Sequence, residues 1–134
     1  MKNIVIDCNV FISAFIGSEI CYKAIDKAFS HYQVCYSDAT LQELLDVLKR
    51  PKFQNLLKSN RVETTLELLY SFGTRITPKP CHLKLPDPDD IIYLDLALAT
   101  KTKYIITGNK KHFPGKICAE LKVLSPGEFL KINF

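Results

Sequence analysis

The sequence predicts an α/β protein, a three-layer α/β/α domain built on a central parallel sheet. Short apolar segments with the character of strands alternate with segments of helical periodicity along the 134 residues. The strand segments are continuously apolar rather than alternating, which is typical of parallel strands covered by helices on both faces. A chain of this length supports one hydrophobic core, so we expect a single domain over residues 1–134.

Local patterns predict each element in turn. Apolar runs predict strands at residues 4–6, 34–36, 75–76, 104–106 and 123–124. Leucines recurring at i, i+3, i+4 and i+7 predict a helix over residues 40–49, which Pro51 ends. Further patterns predict a turn or short helix at 10–16 and helices at 20–29, 53–58, 61–72 and 89–100. Ser125 followed by Pro126 predicts the cap and first turn of a final helix.

The composition excludes several classes of protein. Hydrophobic residues make up 47% and charged residues 24% of the chain, unlike a disordered or fibrous protein. No apolar run approaches the ~18 residues of a membrane span, and Asp7 interrupts the first run too early for a secretory signal. We therefore expect a cytoplasmic protein. The five cysteines include no C-x-x-C pair, so small buried side chains are expected rather than disulfides or a zinc site.

Charge is unevenly distributed along the chain. Positions 49–61 and 101–116 hold basic residues and no acid, whereas four aspartates fall within positions 87–95. Basic stretches around an acidic focus suit a polyanion held near a metal ion. Two solvated faces would give the same pattern, and charge alone does not separate these readings. The basic side chains that we expect to guide such a polyanion are Lys49, Arg50, Lys52, Lys110 and Lys111.

Three acidic residues are candidates for a ligand site. Parallel α/β sheets bind ligands beyond the carboxyl ends of strands or at helix starts, where two of the three stand. Asp7 directly follows the first strand, where a loop-capping Asx turn is the alternative to a site role. Asp90 opens the predicted helix 89–100, where an aspartate can instead cap the helix. Asp95 interrupts the otherwise apolar residues 91–99, so it is a site residue or half of a buried ion pair.

Two further segments supply polar candidates. Glu43 follows the second strand closely, although Thr40 and Glu43 also match the T-x-x-E capping box. Thr107, Gly108 and Asn109 follow the strand at 104–106, where they either bind a carboxylate or phosphate or only form a turn.

A cluster of these carboxylates requires a cation. Two carboxylates ~4 Å apart repel by about 4 kcal/mol at an effective dielectric constant of ~20. Mg²⁺ or Mn²⁺ prefers oxygen ligands and keeps water molecules for a substrate phosphate. Such an ion generates a hydroxide-like nucleophile, so the acidic set predicts phosphodiester hydrolysis.

Five blocks, in order, resemble a PIN domain over nearly the whole chain. They are IVIDCNVFIS from position 4, SDATLQELL from position 37, LKRPKF from position 48, DPDD from position 87 with DLALA from position 95, and YIITGNKKHFP from position 104. The resemblance is closest to the VapC-like toxins of toxin–antitoxin pairs. It implies a Mg²⁺- or Mn²⁺-dependent ribonuclease that acts on RNA, forms a homodimer and is blocked by a cognate antitoxin.

The resemblance also implies roles for individual residues. Asp7, Glu43 and Asp90 match three acidic metal ligands, whereas Asn109 stands where the family often has a fourth acid. Asp95 is expected to supply the missing charge and to join the metal and catalytic set. The supporting polar residues are expected to be Asn9, Ser37, Thr107 and Asn109.

Two other functions are left open by the sequence. The substitution at Asn109 is compatible with a weakened PIN fold that only binds RNA or a partner protein. A phosphotransferase of the haloacid-dehalogenase type also places an aspartate after its first strand, but it needs a second acid where this chain has Asn9.

Overall fold

The computed structural model describes residues 2–58, 60–101 and 103–132. Within them lies a five-stranded, all-parallel sheet. The strands are β1 (Asn3–Ile6), β2 (Gln33–Tyr36), β3 (Thr74–Arg75), β4 (Tyr104–Ile106) and β5 (Lys122–Leu124). Their order across the sheet is β3-β2-β1-β4-β5. The predicted parallel sheet is confirmed, and its helices flank it as three layers.

Helices connect the strands. They are α1 (Cys8–Phe15), α2 (Glu19–His31), α3 (Asp38–Leu48), α4 (Asn60–Phe72), α5 (Ile91–Leu98) and α6 (Pro126–Leu130), with 3₁₀ helices at Pro51–Lys58, Pro88–Asp90 and Lys110–His112. The core lies between these layers, because β1 and β4 at the centre of the sheet bury Ile4, Val5, Ile105 and Ile106 completely. No helix among the described residues is long and apolar enough to cross a membrane.

The carboxyl ends of β1 and β4 lie side by side. Asp7, the residue after β1, donates its backbone N–H to the Ile106 carbonyl at 2.9 Å. Thr107, the residue after β4, donates its backbone N–H to the Leu124 carbonyl of β5 at 2.9 Å. These ladder bonds continue the sheet by one residue and fix the two polar residues at one edge. This edge is where the sequence predicts a site.

Helix caps differ from the predicted ones in two places. Ser37 caps α3 and forms a capping box with Thr40, so Glu43 lies beyond the first turn and the Thr40–Glu43 box is wrong. Asp87 accepts the Asp89 N–H at 3.0 Å and caps the 3₁₀ turn that precedes α5, whereas Asp90 makes no cap bond. Neither Glu43 nor Asp90 is therefore occupied by capping a helix.

Candidate active site

Three carboxylates from separate elements share one cleft at the carboxyl edge of the sheet. Asp7 follows β1, Glu43 lies in the middle of α3, and Asp90 immediately precedes α5. The cleft has a volume of about 400 Å³. Its other polar lining residues are Asn9, Ser13, Arg50, Lys52, Asp87, Asp89 and His112.

Asp7 is held by neutral side chains. Thr107 Oγ1 donates to Asp7 Oδ2 at 2.8 Å, and Asn9 Nδ2 donates to the same oxygen at 3.2 Å. Asp7 is only 4% exposed, and burial together with the nearby Glu43 charge raises its pKa above the ordinary value, although the Thr107 hydrogen bond opposes that rise. The carboxylate is thus fixed in place, and no cationic side chain of the described residues is bonded to it.

Asn9 also joins the two strand ends. Its Oδ1 accepts the Gly108 N–H at 3.1 Å, while its Nδ2 bonds Asp7. A Cβ atom at Gly108 would lie 3.2 Å from Asn9 Oδ1, so a larger residue would crowd this contact.

Glu43 accepts a hydrogen bond from the buried phenol of Tyr93 on α5. Tyr93 Oη donates to Glu43 Oε1 at 2.7 Å, and the tyrosine is 1% exposed. Burial and the surrounding carboxylates raise the pKa of Tyr93, so the phenol remains protonated and acts as a donor. This hydrogen bond connects α5 to α3 and orients the Glu43 carboxylate.

Asp90 carries the least satisfied oxygen of the site. Its Oδ2 is buried, and of the buried side-chain nitrogen and oxygen atoms in the described residues it is the one without a hydrogen-bond partner. His112 Nδ1 lies 3.1 Å from this oxygen, but the contact does not have hydrogen-bond geometry. Burial, followed by the charge of Asp7, raises the pKa of Asp90 to about 6, and His112 opposes the rise.

The donor set suits a hard divalent cation. The Glu43 charge contributes to the raised pKa of Asp7, the Asp7 and Glu43 charges contribute to the raised pKa of Asp90, and one Asp90 oxygen is buried and unbonded. Mg²⁺ or Mn²⁺ relieves this electrostatic condition. Among residues 2–58, 60–101 and 103–132, however, no three His, Cys, Asp or Glu side chains are grouped as a ready-made metal site. Mg²⁺ is commonly held by one or two carboxylates and completes its shell with water and phosphate. Asp7, Glu43 and Asp90 therefore suit Mg²⁺ or Mn²⁺ as ligands, but they do not complete the coordination shell of the ion.

Asp95 is not part of this cleft. Its Oδ1 accepts the backbone N–H of Cys81 at 2.9 Å, and the side chain lines cavities beside Ile76, Thr77 and Pro78 instead. The prediction that Asp95 supplies a fourth acid to the site is corrected by this placement, as is its alternative of a buried ion pair. The Cys81 N–H, which lies in a loop, stabilises the Asp95 carboxylate at this position.

Two of the predicted supporting residues have structural roles. Ser37 is the buried cap of α3 and lines the cavity near Asp95, so its predicted place in the site is corrected. Asn109 caps the 3₁₀ turn Lys110–His112 and does not line the cleft, although its Nδ2 lies 3.1 Å from His112 Nε2. Asn9 and Thr107, by contrast, contact Asp7 directly.

The basic residues divide between the cleft and its surroundings. Arg50 and Lys52 line the cleft, whereas Lys49 is exposed beside it on the end of α3. Lys110 forms an ion pair with Glu128 at 2.9 Å, and Lys111 is exposed. Of the five basic residues expected to guide a polyanion, Arg50 and Lys52 are therefore the two that line the cleft.

Sequence reasoning missed Tyr93 and His112 as site residues. Tyr93 lies in an apolar helix and has the pattern of a core residue, and His112 was considered only for its charge within a basic segment. The position of His112 three residues after Asn109, in a short turn after β4, is the signal that could have identified it.

Comparison with known proteins identifies the family. A family model described as a PIN domain matches residues 3–111, most of the chain and all three cleft carboxylates. The chain belongs to the PIN domain family. PIN domains are generally nucleases and generally use divalent metals.

The fold of this chain is also found in solved structures. A chain in the crystal structure of VapBC2 from Rickettsia felis bound to a DNA fragment from their promoter matches with a TM-score of 0.64. The alignment covers 92% of this PIN domain chain and 98% of that chain at 16% sequence identity. No curated protein matches.

Proposed function

We propose that this PIN domain protein is a Mg²⁺- or Mn²⁺-dependent endoribonuclease that hydrolyses RNA phosphodiesters. The observation that carries the proposal is the convergence of Asp7, Glu43 and Asp90 on one cleft, with Asp90 Oδ2 buried and unbonded. Carboxylates in such a position are costly unless a cation offsets their charge. PIN family membership supports nuclease chemistry, and it disfavours the phosphotransferase alternative.

Asp7, Glu43 and Asp90 are the residues that would hold the ion. When bound, the ion would activate a water molecule and neutralise charge on the scissile phosphate. Thr107 and Asn9 orient Asp7, and Tyr93 orients Glu43, so the ligand oxygens are set before substrate arrives. Arg50 and Lys52 on the cleft wall would bind the RNA backbone, with Lys49, Lys110 and Lys111 outside it.

We further propose that the protein is the toxin of a toxin–antitoxin pair. The support is the shared fold with a chain from the VapBC2 structure together with the resemblance of the motif blocks. On this proposal, a small cognate antitoxin inhibits cleavage, and the toxin forms a homodimer. Co-expression with the product of an adjacent short reading frame tests the first point, and sedimentation of the purified chain tests the second.

The direct test is cleavage of a labelled single-stranded RNA with Mn²⁺ or Mg²⁺ and with EDTA. We expect cleavage that requires the metal and leaves single-stranded DNA of the same sequence intact. Equal cleavage in EDTA would contradict metal dependence. Calorimetry that shows no Mn²⁺ binding dependent on Asp7 would instead favour the RNA- or protein-binding alternative.

Tyr93→Phe tests whether the phenol orients Glu43. The substitution removes the 2.7 Å hydrogen bond but keeps the buried ring, so the fold should be retained. We expect the Mn²⁺ affinity to fall by about 10-fold, as is typical when a residue behind a metal ligand is lost. Tyr104→Phe, on β4 and outside the cleft, is the matched control. Equal Mn²⁺ affinity of the two variants in calorimetry would contradict the role of Tyr93.

A further inference from the structure

The cleft that holds the three carboxylates also has an apolar part, lined by Ile12, Val47 and Phe53. Ile12 and Val47 pack against the hydrophobic core, to which Phe53 does not contribute in the described part of the chain. Phe53 is partly exposed, and among the described residues that line the cleft it carries the one phenyl ring. The cleft thus offers a ligand a flat aromatic surface that core packing does not require.

The end of α3 holds Phe53 near the carboxylates. Val47 comes four residues after Glu43, so both side chains lie on the face of α3 that borders the cleft. The Arg50 N–H donates to the Val47 carbonyl at 3.1 Å, and the Phe53 N–H donates to the Arg50 carbonyl at 2.9 Å. These two bonds lead the chain from α3 into the 3₁₀ helix Pro51–Lys58 and fix the backbone of Phe53 relative to Glu43.

Two cations accompany the ring. Arg50 and Lys52 line the same cleft, and Lys52 Nζ lies 5.0 Å from the centroid of the Phe53 ring. In single-stranded nucleic acids, phosphates bind such cations and bases stack on aromatic rings. Lys52 is exposed, and an exposed cation–π contact is weaker than base stacking, so a base can displace the ammonium from the ring towards a phosphate.

We propose that Phe53 is a substrate-binding residue that stacks on an unpaired nucleobase of the RNA in the cleft. The proposal deepens the proposed function and rests on it, because it takes RNA as the ligand of the carboxylate cleft. Stacking on Phe53 would hold a nucleotide close to the scissile phosphate, while Arg50 and Lys52 bind the backbone of the strand. Bases in a duplex are already stacked and paired, so the ring would select unpaired segments.

Two oligonucleotides of equal charge separate stacking from electrostatic attraction. The probes are a labelled octauridylate and a labelled ribose–phosphate octamer without bases, and fluorescence anisotropy in EDTA measures their affinities. We expect Phe53→Leu to weaken binding of octauridylate by about 10-fold and to change binding of the baseless octamer by less than about 2-fold. Phe53→Tyr retains an aromatic ring and should stay within about 3-fold of the wild type for both probes.

Phe72→Leu is the matched control, because Phe72 is 66% exposed on α4 and lies outside the cleft. We expect it to change neither affinity. An equal loss of affinity for both probes on Phe53→Leu substitution would show that the ring only positions Lys52, and it would overturn the proposal. A wild-type protein that binds octauridylate no more tightly than the baseless octamer would also overturn it. Thermal unfolding of each variant confirms that the affinities compare folded proteins.

Separate readouts distinguish this proposal from the proposed function. Wild-type protein that cleaves no RNA with Mn²⁺ or Mg²⁺ would refute the nuclease function, whereas stacking on Phe53 is judged from binding to metal-free protein. Metal-dependent cleavage by the wild type, together with equal affinities of the wild type and Phe53→Leu for octauridylate, would refute the role of Phe53 alone.

Discussion

Asp7→Asn and Asp90→Asn are each expected to reduce metal-dependent RNA cleavage on the order of 100-fold or more. Both substitutions preserve side-chain size and remove one negative charge from the cleft. Asp7 lies at its base and is buried, and the Asp90 oxygen that a cation would satisfy has no hydrogen bond. The effect follows because an amide oxygen binds a divalent cation more weakly than a carboxylate does. Initial rates of cleavage at saturating Mn²⁺ measure the loss.

Asp95→Asn is the matched control for both variants. Asp95 is an acid of the same motif region, but it binds the Cys81 N–H outside the cleft. An asparagine keeps an acceptor for that amide, so cleavage should remain within about 2-fold of the wild-type rate. Undiminished cleavage by Asp7→Asn, or an Asp95→Asn loss as large as that of Asp90→Asn, would contradict the assignment of the site.

Asp90→Asn is also expected to stabilise the metal-free protein at pH values above about 6. The pKa of Asp90 is about 6 in the folded chain against 3.8 as its ordinary value. Between these values the folded state binds more protons than the unfolded chain, so the stability of the wild type falls as the pH rises. Above the folded-state pKa, ionised Asp90 lowers the free energy of unfolding by its full amount, on the order of 1–3 kcal/mol. An asparagine at position 90 does not titrate, so the variant does not suffer this loss of stability.

Denaturant unfolding at pH 4 and pH 7.5 in EDTA measures this difference. We expect the two proteins to be similar at pH 4 and the variant to be more stable at pH 7.5. Some loss with rising pH should persist in the variant, because burial also raises the pKa of Asp7. A variant less stable than the wild type at pH 7.5 would show that the Asp90 carboxylate is well satisfied in the folded chain.

Metal should offset this difference in stability. At 100 times its dissociation constant, an ion that binds only the folded state adds about 2.7 kcal/mol. Mn²⁺ should therefore raise the midpoint of wild-type thermal unfolding and have little effect on Asp90→Asn. An equal rise in both proteins would place the ion elsewhere.

Local patterns were sufficient for most of the fold. The continuously apolar strands predict the parallel sheet, and the spacing of Leu41, Leu44 and Leu48 predicts α3, because hydrophobic periodicity is written in neighbouring residues. The sequence pattern places the start of α3 too late, because Ser37 and Thr40 are both possible capping residues and only the backbone conformation decides between them.

The carboxylates show where local reasoning fails. A charge in an apolar helix indicates that Asp95 must have a partner, but it does not identify the partner. That partner is the backbone of Cys81, in the proline-rich segment 76–88, which has no periodicity to reveal its path. Resemblance to the family placed Asp95 in the site, and the fold placed it outside.

The sequence by itself determined a parallel α/β sheet with acidic residues at its carboxyl edge, since both follow from short-range patterns and the direction of the strands. Only the tertiary structure decided which acids meet and what holds them. Glu43 and Tyr93 are 50 residues apart, and Asp7 and Thr107 are 100 apart. The pairing of such distant side chains depends on how whole helices pack against the sheet, which no local pattern encodes.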